Sequence, residues 1–134
     1  MNLLVTGGAG FIASQFVRWL LNKAATLKIV NLDALTYAGN LASIQDLLEN
    51  PRHHFVKARI QDSALLEKLL LEQEIDHVIN FAAESHVDRS IDGPAAFMDT
   101  NINGTFAILE ACRKQKNVKR FVQVSTDEVY GSLG

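Results

Sequence analysis

The chain has 134 residues, of which 48% are hydrophobic and 21% are charged, and its formal net charge is −2. This length and composition suit a single globular domain, and the small negative charge gives no basic field that would attract nucleic acid or an acidic membrane surface. The single cysteine, Cys112, excludes an internal disulfide and is typical of a reducing compartment. No apolar run approaches the roughly 20 residues of a membrane span. Because Met1 leads directly into the first predicted strand, we expect no signal peptide and a cytoplasmic location.

The first predicted strand, Leu3 to Thr6, enters a glycine-rich turn, and a helical pattern leaves that turn. The turn fits the spacing Gly8-x-Gly10-x-x-Ala13 and also reads Gly7-x-x-Gly10-x-x-Ala13. In the dinucleotide fingerprint, glycines at such spacing let the backbone turn tightly and approach a pyrophosphate at the helix N-terminus. A glycine-rich turn alone can also be an ordinary loop, so this motif needs support from its surroundings.

The support comes from an acidic residue at the end of the second predicted strand, which covers residues 28–32. Asp33 lies 20 residues after Ala13, where the fingerprint expects an acid that binds the adenosine ribose 2′-hydroxyl. A carboxylate at this place repels a 2′-phosphate, so the pattern favours NAD over NADP. The alternative interpretation of Asp33 is a turn residue after a strand.

Strands and helices are predicted to alternate along the remaining chain. The later strands are expected at residues 54–60, 77–83 and 120–125, and a polar loop is expected at residues 84–93. The later helices are expected at residues 41–48, from Asp62 or Ser63 through Leu70, and from Pro94 through Cys112. This alternation predicts an α/β fold with a doubly wound, Rossmann-like parallel sheet of about five strands.

Ligands bind such sheets outside the carboxyl ends of the strands. Four loops would lie at that edge, and they contain the unusual polar residues of this chain: residues 7–13, 33–40, 84–92 and 126–131. Asp127 and Glu128 are adjacent carboxylates, and like charges so close push their pKa values apart, so that one can act as an acid and the other as a base. A helix cap or turn is the alternative for this pair. We expect no metal site, because His86 and Asp88 lack a close third ligand in the sequence.

These motifs together resemble the amino-terminal part of the dTDP-glucose 4,6-dehydratases, which belong to the extended short-chain dehydrogenase/reductase superfamily. The stretch Thr6–Ile12 is shared by the superfamily. More specific stretches are found at residues 35–41, 82–90, 100–102 and 125–131. The last is the most diagnostic, because related epimerases usually lack the Asp-Glu pair. The resemblance implies that residues 1–134 are a partial NAD-binding Rossmann domain, incomplete at its C-terminus, and that a carboxyl-terminal sugar-nucleotide lobe lies outside this chain.

The resemblance implies NAD as the cofactor, a nucleotide-activated hexose as the substrate, and dehydration to a 4-keto-6-deoxy sugar through an internal redox cycle. Glu128 would remove the C5 proton, Asp127 would protonate the departing C6 hydroxyl, and Thr126 would bind the C4 hydroxyl. Ser85 and His86 would contact the substrate. Together with the turn glycines Gly7 and Gly10, the implied cofactor positions are Phe11, Ile12, Asp33, Leu35, Thr36, Ile60, Ala82, Ala83 and Thr100, with Asn101 as a further candidate.

Several positions depart from the pattern of this family. Ala34 stands where the family commonly has Lys, and Arg59 stands where it has an Asp near the adenine. Because a guanidinium has no acceptor, Arg59 would weaken NAD binding or leave the adenine amino group to a backbone acceptor. The Tyr-x-x-x-Lys motif of the family is absent, since neither Tyr37 nor Tyr130 has a lysine four residues later.

Two other functions remain open at this point. A non-catalytic dinucleotide-binding module is consistent with Arg59 and with the missing Tyr-x-x-x-Lys motif, whereas a sugar-nucleotide epimerase would have no use for the acid pair. The resemblance also implies a homodimer that pairs two helices of each subunit. Only one of those helices, around residues 101–114, is present in this chain.

We therefore expect the isolated 134-residue chain to show little or no turnover of dTDP-glucose. The physical reason is that the tyrosine that accepts the C4 hydroxyl proton, and the lysine beside it, are missing. An assay for the 4-keto product, run on the purified chain with NAD+, checks this. Accumulation of that product would contradict the expectation.

Overall fold

The computed structural model describes residues 1–131, apart from the side chains of Val87, Asp127 and Glu128. Within that part of the chain, five strands form one sheet in which every neighbouring pair is parallel. The strands are β1 (Asn2–Thr6), β2 (Lys28–Asp33), β3 (His53–Lys57), β4 (His77–Asn80) and β5 (Arg120–Gln123). Their order across the sheet is β3-β2-β1-β4-β5. The predicted doubly wound, Rossmann-like parallel sheet is confirmed.

Helical segments connect the strands. The α-helices are α1 (Phe11–Lys23), α2 (Ser63–Glu72), α3 (Val87–Asp92), α4 (Pro94–Phe97) and α5 (Thr105–Lys114). A π-helical segment, Met98–Gly104, joins α4 to α5, and 3-10 helices cover Leu41–Leu47 and Asp127–Tyr130. None of the helices in the described part of the chain is long and apolar enough to cross a membrane.

The sheet is covered on both faces, and each face has its own apolar cluster. One cluster joins the sheet to α1 and the first 3-10 helix, and it includes Leu3, Val5, Val17, Leu21, Ile29 and Ile44. The other joins the sheet to α2 and α5, and it includes Leu4, Val30, Leu66, Leu70, Val78 and Ile108. Because β1 contributes alternate residues to both clusters, its sequence is a continuous apolar run.

The main errors of the sequence prediction lie at strand ends and in the stretch after β4. The strands expected to end at residues 60, 83 and 125 end at Lys57, Asn80 and Gln123. Pairing between β1 and β4 stops at Thr6 and Asn80, so the residues beyond have left the sheet. The loop expected at residues 84–93 contains helix α3, which the sequence pattern missed. Its Ile91 is 76% exposed, and the described side chains of α3 form no buried apolar stripe whose periodicity could be detected.

The helical pattern from Pro94 onward is confirmed, but the buried face is not the one with the largest apolar side chains. The buried positions are Gly104, Ala107, Ile108 and Ala111. A Cβ on Gly104 would lie 2.5 Å from Ile60 Cδ1, so the small residue allows close packing of the segment against Ile60. The larger residues form an exposed stripe, which consists of Met98, Ile102, Phe106 and Leu109.

The start of α2 shows which of the two predicted caps is used. The Asp62 carboxylate accepts a hydrogen bond of 3.0 Å from the Leu65 backbone N–H. Such a cap satisfies one of the N–H groups that has no partner within the helix. Asp62 is therefore the N-cap, and Ser63 is the first helical residue.

Replacing this cap should lower the free energy of unfolding by about 1 kcal/mol in Asp62→Ala, because the Leu65 N–H loses its acceptor. Urea unfolding measures the change. Asp62→Asn keeps an acceptor oxygen, and Ser63→Ala alters an exposed neighbour; both should unfold like the unmodified chain. Equal stability of Asp62→Ala and Asp62→Asn would show that the cap contributes nothing.

Candidate functional site

The carboxyl ends of the strands open into a cavity of about 420 Å³. Its walls come from the turn after β1, the loop after β2, the residues after β3, β4 and β5, and the π-helical segment. Of the residues predicted from the sequence, those that line it are Gly7, Gly10, Phe11, Ile12, Asp33, Thr36, Ile60, Ala82, Ala83, Ser85, Thr100 and Thr126. Residues far apart in the sequence thus meet around one space.

Two predicted site residues in the described part of the chain, Leu35 and His86, do not line this cavity. Leu35 packs against the apolar cluster on the α1 face, and its backbone has a φ of 52°. His86 is exposed at the N-cap position of α3. The side chains of Asp127 and Glu128 lie outside the described residues, so their predicted placement remains a prediction.

The further candidate Asn101 holds the backbone after β4. Its amide oxygen accepts a hydrogen bond of 2.8 Å from the Glu84 N–H, and its amide nitrogen donates one of 2.9 Å to the Glu84 carbonyl. This paired contact accounts for both ends of the Asn101 amide. Asn101 therefore fixes Glu84, which does line the cavity.

Several lining residues were not proposed from the sequence as contacts. They are Leu32, Ala38, Gly39, Ala58, Gln61, Phe81, Val124 and Ser125, together with Ala13, Ala34, Arg59 and Glu84, which were noted for other reasons. Most are small or apolar, so their chemistry gave no signal. Their position just beyond a strand end is the signal that could have found them.

The glycine turn after β1 approaches two neighbouring strands so closely that side chains are excluded. Gly7 has a φ of 71°, and a Cβ there would lie 2.7 Å from the Ala82 backbone nitrogen. The Gly7 N–H also donates to the Leu32 carbonyl at 2.8 Å. Gly10 is the N-cap of α1, whose first turn contains no acidic residue. The N–H groups and positive dipole end of α1 therefore face the cavity with no carboxylate from the first turn of the helix itself.

Asp33 is only 7% exposed and has two structural contacts. One carboxylate oxygen accepts from the Ala9 N–H at 2.9 Å, and the other accepts from the Leu35 N–H at 2.7 Å. Each carboxylate oxygen can accept two hydrogen bonds. Because Asp33 lines the cavity, the remaining acceptor positions can serve a hydroxyl group of a ligand there.

A chain of polar side chains crosses three strands where the cavity begins. The Thr6 hydroxyl donates to the Asn80 amide oxygen, and the Asn80 amide nitrogen donates to the Gln123 amide oxygen at 2.8 Å. The same Asn80 oxygen accepts from the Ala82 N–H at 3.2 Å. Thr6 and Asn80 are fully buried, so these contacts hold β1, β4 and β5 in register and fix Ala82 against Gly7.

The rim of the cavity carries a contact between two loops that are distant in sequence. The guanidinium carbon of Arg89 on α3 lies 4.1 Å from the centroid of the Tyr37 ring. Tyr37 belongs to the loop after β2, between the lining residues Thr36 and Ala38. This cation–π contact joins the loop after β2 to the helix that follows β4.

Comparison with known proteins decides the family. The sequence profile described as GDP-mannose 4,6 dehydratase matches residues 4–134. The chain belongs to the GDP-mannose 4,6 dehydratase family. A dTDP-glucose 4,6-dehydratase of Xanthomonas campestris pv. campestris (strain B100) is 54% identical over 139 residues, which cover 98% of this chain and 39% of that protein. The predicted resemblance to dTDP-glucose 4,6-dehydratases is confirmed.

Solved structures of other proteins share the fold of this GDP-mannose 4,6 dehydratase family member. A dTDP-glucose 4,6-dehydratase from Streptomyces venezuelae with NAD bound matches at a TM-score of 0.91 and 48% identity, over 100% of this chain and 42% of that one. A UDP-glucuronic acid 4-epimerase from Bacillus cereus, in complex with UDP-glucuronic acid and NAD, matches at a TM-score of 0.89 and 34% identity, over 100% and 43%. The chain thus spans about two fifths of the length of these proteins.

The close approach of Gly7 to Ala82 makes a specific stability prediction. Gly7→Ala should lower the free energy of unfolding by more than about 1 kcal/mol, because it forces a side chain into a left-handed conformation and against backbone atoms. Gly93→Ala is the matched control, since its Cβ would meet nothing closer than the Arg89 carbonyl oxygen at 3.6 Å. Denaturant unfolding of both variants tests the difference, and equal losses would contradict it.

Proposed function

We propose that the chain is the cofactor-binding part of an NAD-dependent nucleotide-hexose dehydratase that converts dTDP-glucose to dTDP-4-keto-6-deoxyglucose. The observation that carries the proposal is that the glycine turn at the start of α1 and the buried carboxylate of Asp33 line one cavity. The substrate named for the Xanthomonas relative and the NAD bound to the Streptomyces structure support it.

The residues present fit a dinucleotide. Gly7 and Gly10 line the cavity at the start of α1, and the turn packs too closely on the Ala82 backbone and the Gly7 carbonyl to admit a Cβ at either position. A pyrophosphate bound there would lie next to the backbone of the turn. Phe11 and Ile12 are 88% and 67% exposed at the first turn of α1, where they offer an apolar wall to a flat ligand.

The adenosine end of the cofactor would meet β2 and β3. Asp33 would bind the ribose hydroxyls, and Ala58 and Ile60 would contact the adenine ring. Arg59 lies on the same wall and has no acceptor atom in its side chain. As expected from the sequence, Arg59 would either weaken NAD binding or leave the adenine amino group to a backbone acceptor.

The bound cofactor would supply the hydride acceptor for the sugar C4 position as NAD+ and the hydride donor for C6 as the NADH formed in the first transfer. The residues of the chain would manage the protons and orient the sugar. Thr126 lines the cavity directly after β5 and would bind the C4 hydroxyl. We assign the base that removes the C5 proton to Glu128 and the acid that protonates the C6 hydroxyl to Asp127, following the family resemblance. Adjacent carboxyl groups suit this division, because the charge of one favours the protonated form of the other.

An epimerase is the second candidate, and the observation that favours it is the match to the Bacillus cereus epimerase. Such an enzyme oxidises and reduces the sugar at one carbon without losing water, so it needs no acid for a leaving hydroxyl. The adjacent Asp127 and Glu128 therefore favour the dehydratase. Product analysis with a full-length protein that contains this chain separates the two.

We propose further that this chain contributes the NAD site, and that the nucleotide of the substrate binds the part of the longer relatives that this chain does not span. The exposed stripe supports a homodimer in which a second copy of the full-length protein packs on it, because a row of four large apolar side chains is unfavourable in water.

We place the protein in the cytoplasm. Cys112 supports this setting, since it is a free thiol whose pKa is raised to about 11 by burial, as expected of a reduced packing residue.

Calorimetric titration of this chain with NAD+ and NADP+ tests the cofactor proposal. NAD+ should bind at least about tenfold more tightly, because the Asp33 carboxylate repels a 2′-phosphate. Asp33→Asn should bring the two affinities closer, whereas Asp92→Asn, an exposed acid on α3 outside the cavity lining, should leave their ratio unchanged. Absence of NAD+ binding would refute the cofactor proposal, and equal affinities would refute the role of Asp33.

A further inference from the structure

Two buried polar side chains, Asn31 on β2 and His53 on β3, lie beneath the glycine turn. Asn31 is fully buried and His53 is 7% exposed. The Asn31 amide nitrogen donates a long hydrogen bond of 3.4 Å to the Gly8 carbonyl and lies 3.1 Å from His53 Nε2. A Cβ on Gly8 would lie 1.7 Å from the Asn31 amide oxygen. The Asn31 amide is thus in direct contact with the backbone of the turn at Gly8.

The chemistry of these partners allows one orientation of the Asn31 amide. The Gly8 carbonyl can only accept, so it requires the NH2 group of Asn31. The other hydrogen of that NH2 group then points at His53 Nε2, which must be an acceptor. In this orientation of Asn31, His53 is neutral and has its proton on Nδ1. In the described part of the chain neither the Asn31 oxygen nor His53 Nδ1 has a hydrogen-bond partner, so the orientation rests on the two contacts of the Asn31 nitrogen.

We propose that Asn31 is a positioning residue for the glycine turn and that neutral His53 sets the orientation of the Asn31 amide. Protonation of His53 would then weaken dinucleotide binding. This inference rests on the proposed function for the identity of the ligand. Asn31 does not line the cavity. It acts through Gly8, whose backbone leads within two residues to the N-cap of α1, where the pyrophosphate would bind.

Protonation would reverse the hydrogen bonding of this cluster. With both ring nitrogens protonated, the Nε2–H of His53 would face the NH2 group of Asn31, and two donors cannot form a hydrogen bond. The Asn31 amide would have to rotate by about half a turn so that its oxygen faces Nε2–H. Its oxygen would then face the Gly8 carbonyl oxygen in a buried space where water does not replace the lost donor. The turn would have to move away, and the N–H groups at the start of α1 would move with it.

The charged and titratable groups considered around His53 come from four elements. Asp46 in the first 3-10 helix favours the protonated ring and His54 on β3 opposes it. The hydrogen bond with Arg18 of α1 lowers the pKa of Asp46, which keeps Asp46 ionised. On β2, the Asp33 carboxylate is bound to the Ala9 and Leu35 N–H groups.

Burial has the largest effect and lowers the pKa of His53 below its usual value. The unfolded chain therefore binds this proton more strongly than the folded one. The contribution of neutral His53 to stability is complete above the usual histidine pKa and is lost as the pH falls below it. Cofactor affinity and stability should decline in the same mildly acidic range, so the test must separate them.

The test is calorimetric titration with NAD+ from about pH 8 to about pH 5.5, which spans histidine titration. We expect the affinity of the unmodified chain to stay level down to the usual histidine pKa and to fall progressively below it, because burial places protonation of His53 in that more acidic range. His53→Gln keeps an acceptor for Asn31 without titrating and should bind with nearly constant affinity. His54→Gln is the matched control, because it removes an exposed imidazole from the next position and should keep the fall. A fall that persists in His53→Gln, or is lost in His54→Gln, overturns the proposal.

Two further measurements separate the proposed effect from acid unfolding and test the tautomer of His53 directly. Far-UV circular dichroism at each pH must show the folded chain, and a fall in affinity that merely follows unfolding overturns the proposal. A long-range ¹H–¹⁵N correlation spectrum of the histidine rings, which needs no cofactor, should show the proton of His53 on Nδ1. A proton on Nε2 at neutral pH contradicts the orientation of Asn31. Failure of every protein to bind NAD+ refutes the proposed function instead, and the spectrum still decides the tautomer.

Discussion

The cavity depends on the bonds that tie the glycine turn to the end of β2. Asp33 accepts from the Ala9 N–H with one oxygen and from the Leu35 N–H with the other. The Ala9 carbonyl in turn accepts from the Asn40 N–H at 3.1 Å, so both ends of the loop after β2 are bound to the turn. This arrangement holds Leu35 at a positive φ, which a branched side chain rarely adopts. Asp33, whose carboxylate is suited to bind a ribose, therefore also fixes the backbone of the turn and of the loop that form the binding site.

The opposite wall of the cavity depends on contacts that β4 makes with its neighbours. Asn80 connects β4 to Thr6 and Gln123, and Asn101 connects the backbone after β4 to the π-helical segment. Such segments are rare and occur often at functional sites. Here the segment packs Gly104 on Ile60 and brings Thr100 to the cavity wall. The two walls meet where Gly7 packs on Ala82, and the Arg89–Tyr37 contact joins them again at the rim.

The features that were predictable from sequence were those encoded over short stretches. The strand, glycine turn and helix at the start of the chain have local signatures, and so does the acid at the end of β2. The alternation of strands and helices then implied that the loops after the strands meet at one edge of the sheet. Leu35 and His86 were harder, because adjacent residues in a loop can point into or away from a cavity. Helix α3 and the π-helical form of Met98–Gly104, within the predicted helix, had no local signature in the sequence. Both segments have contacts with residues outside their own stretch, namely Ile60, Glu84 and Tyr37.

The position of β1 in the middle of the sheet has a consequence for how the site forms. β1 pairs with β2 on one side and with β4 on the other, and its Thr6 contacts Asn80, 74 residues later. Closing so long a loop is slow relative to local helix formation. The glycine turn is confined between Leu32 and Ala82, so it reaches its final shape only after β4 has docked. A nascent chain could therefore form its first helix early and still be unable to hold a nucleotide until the residues through β4 (His77–Asn80) had assembled.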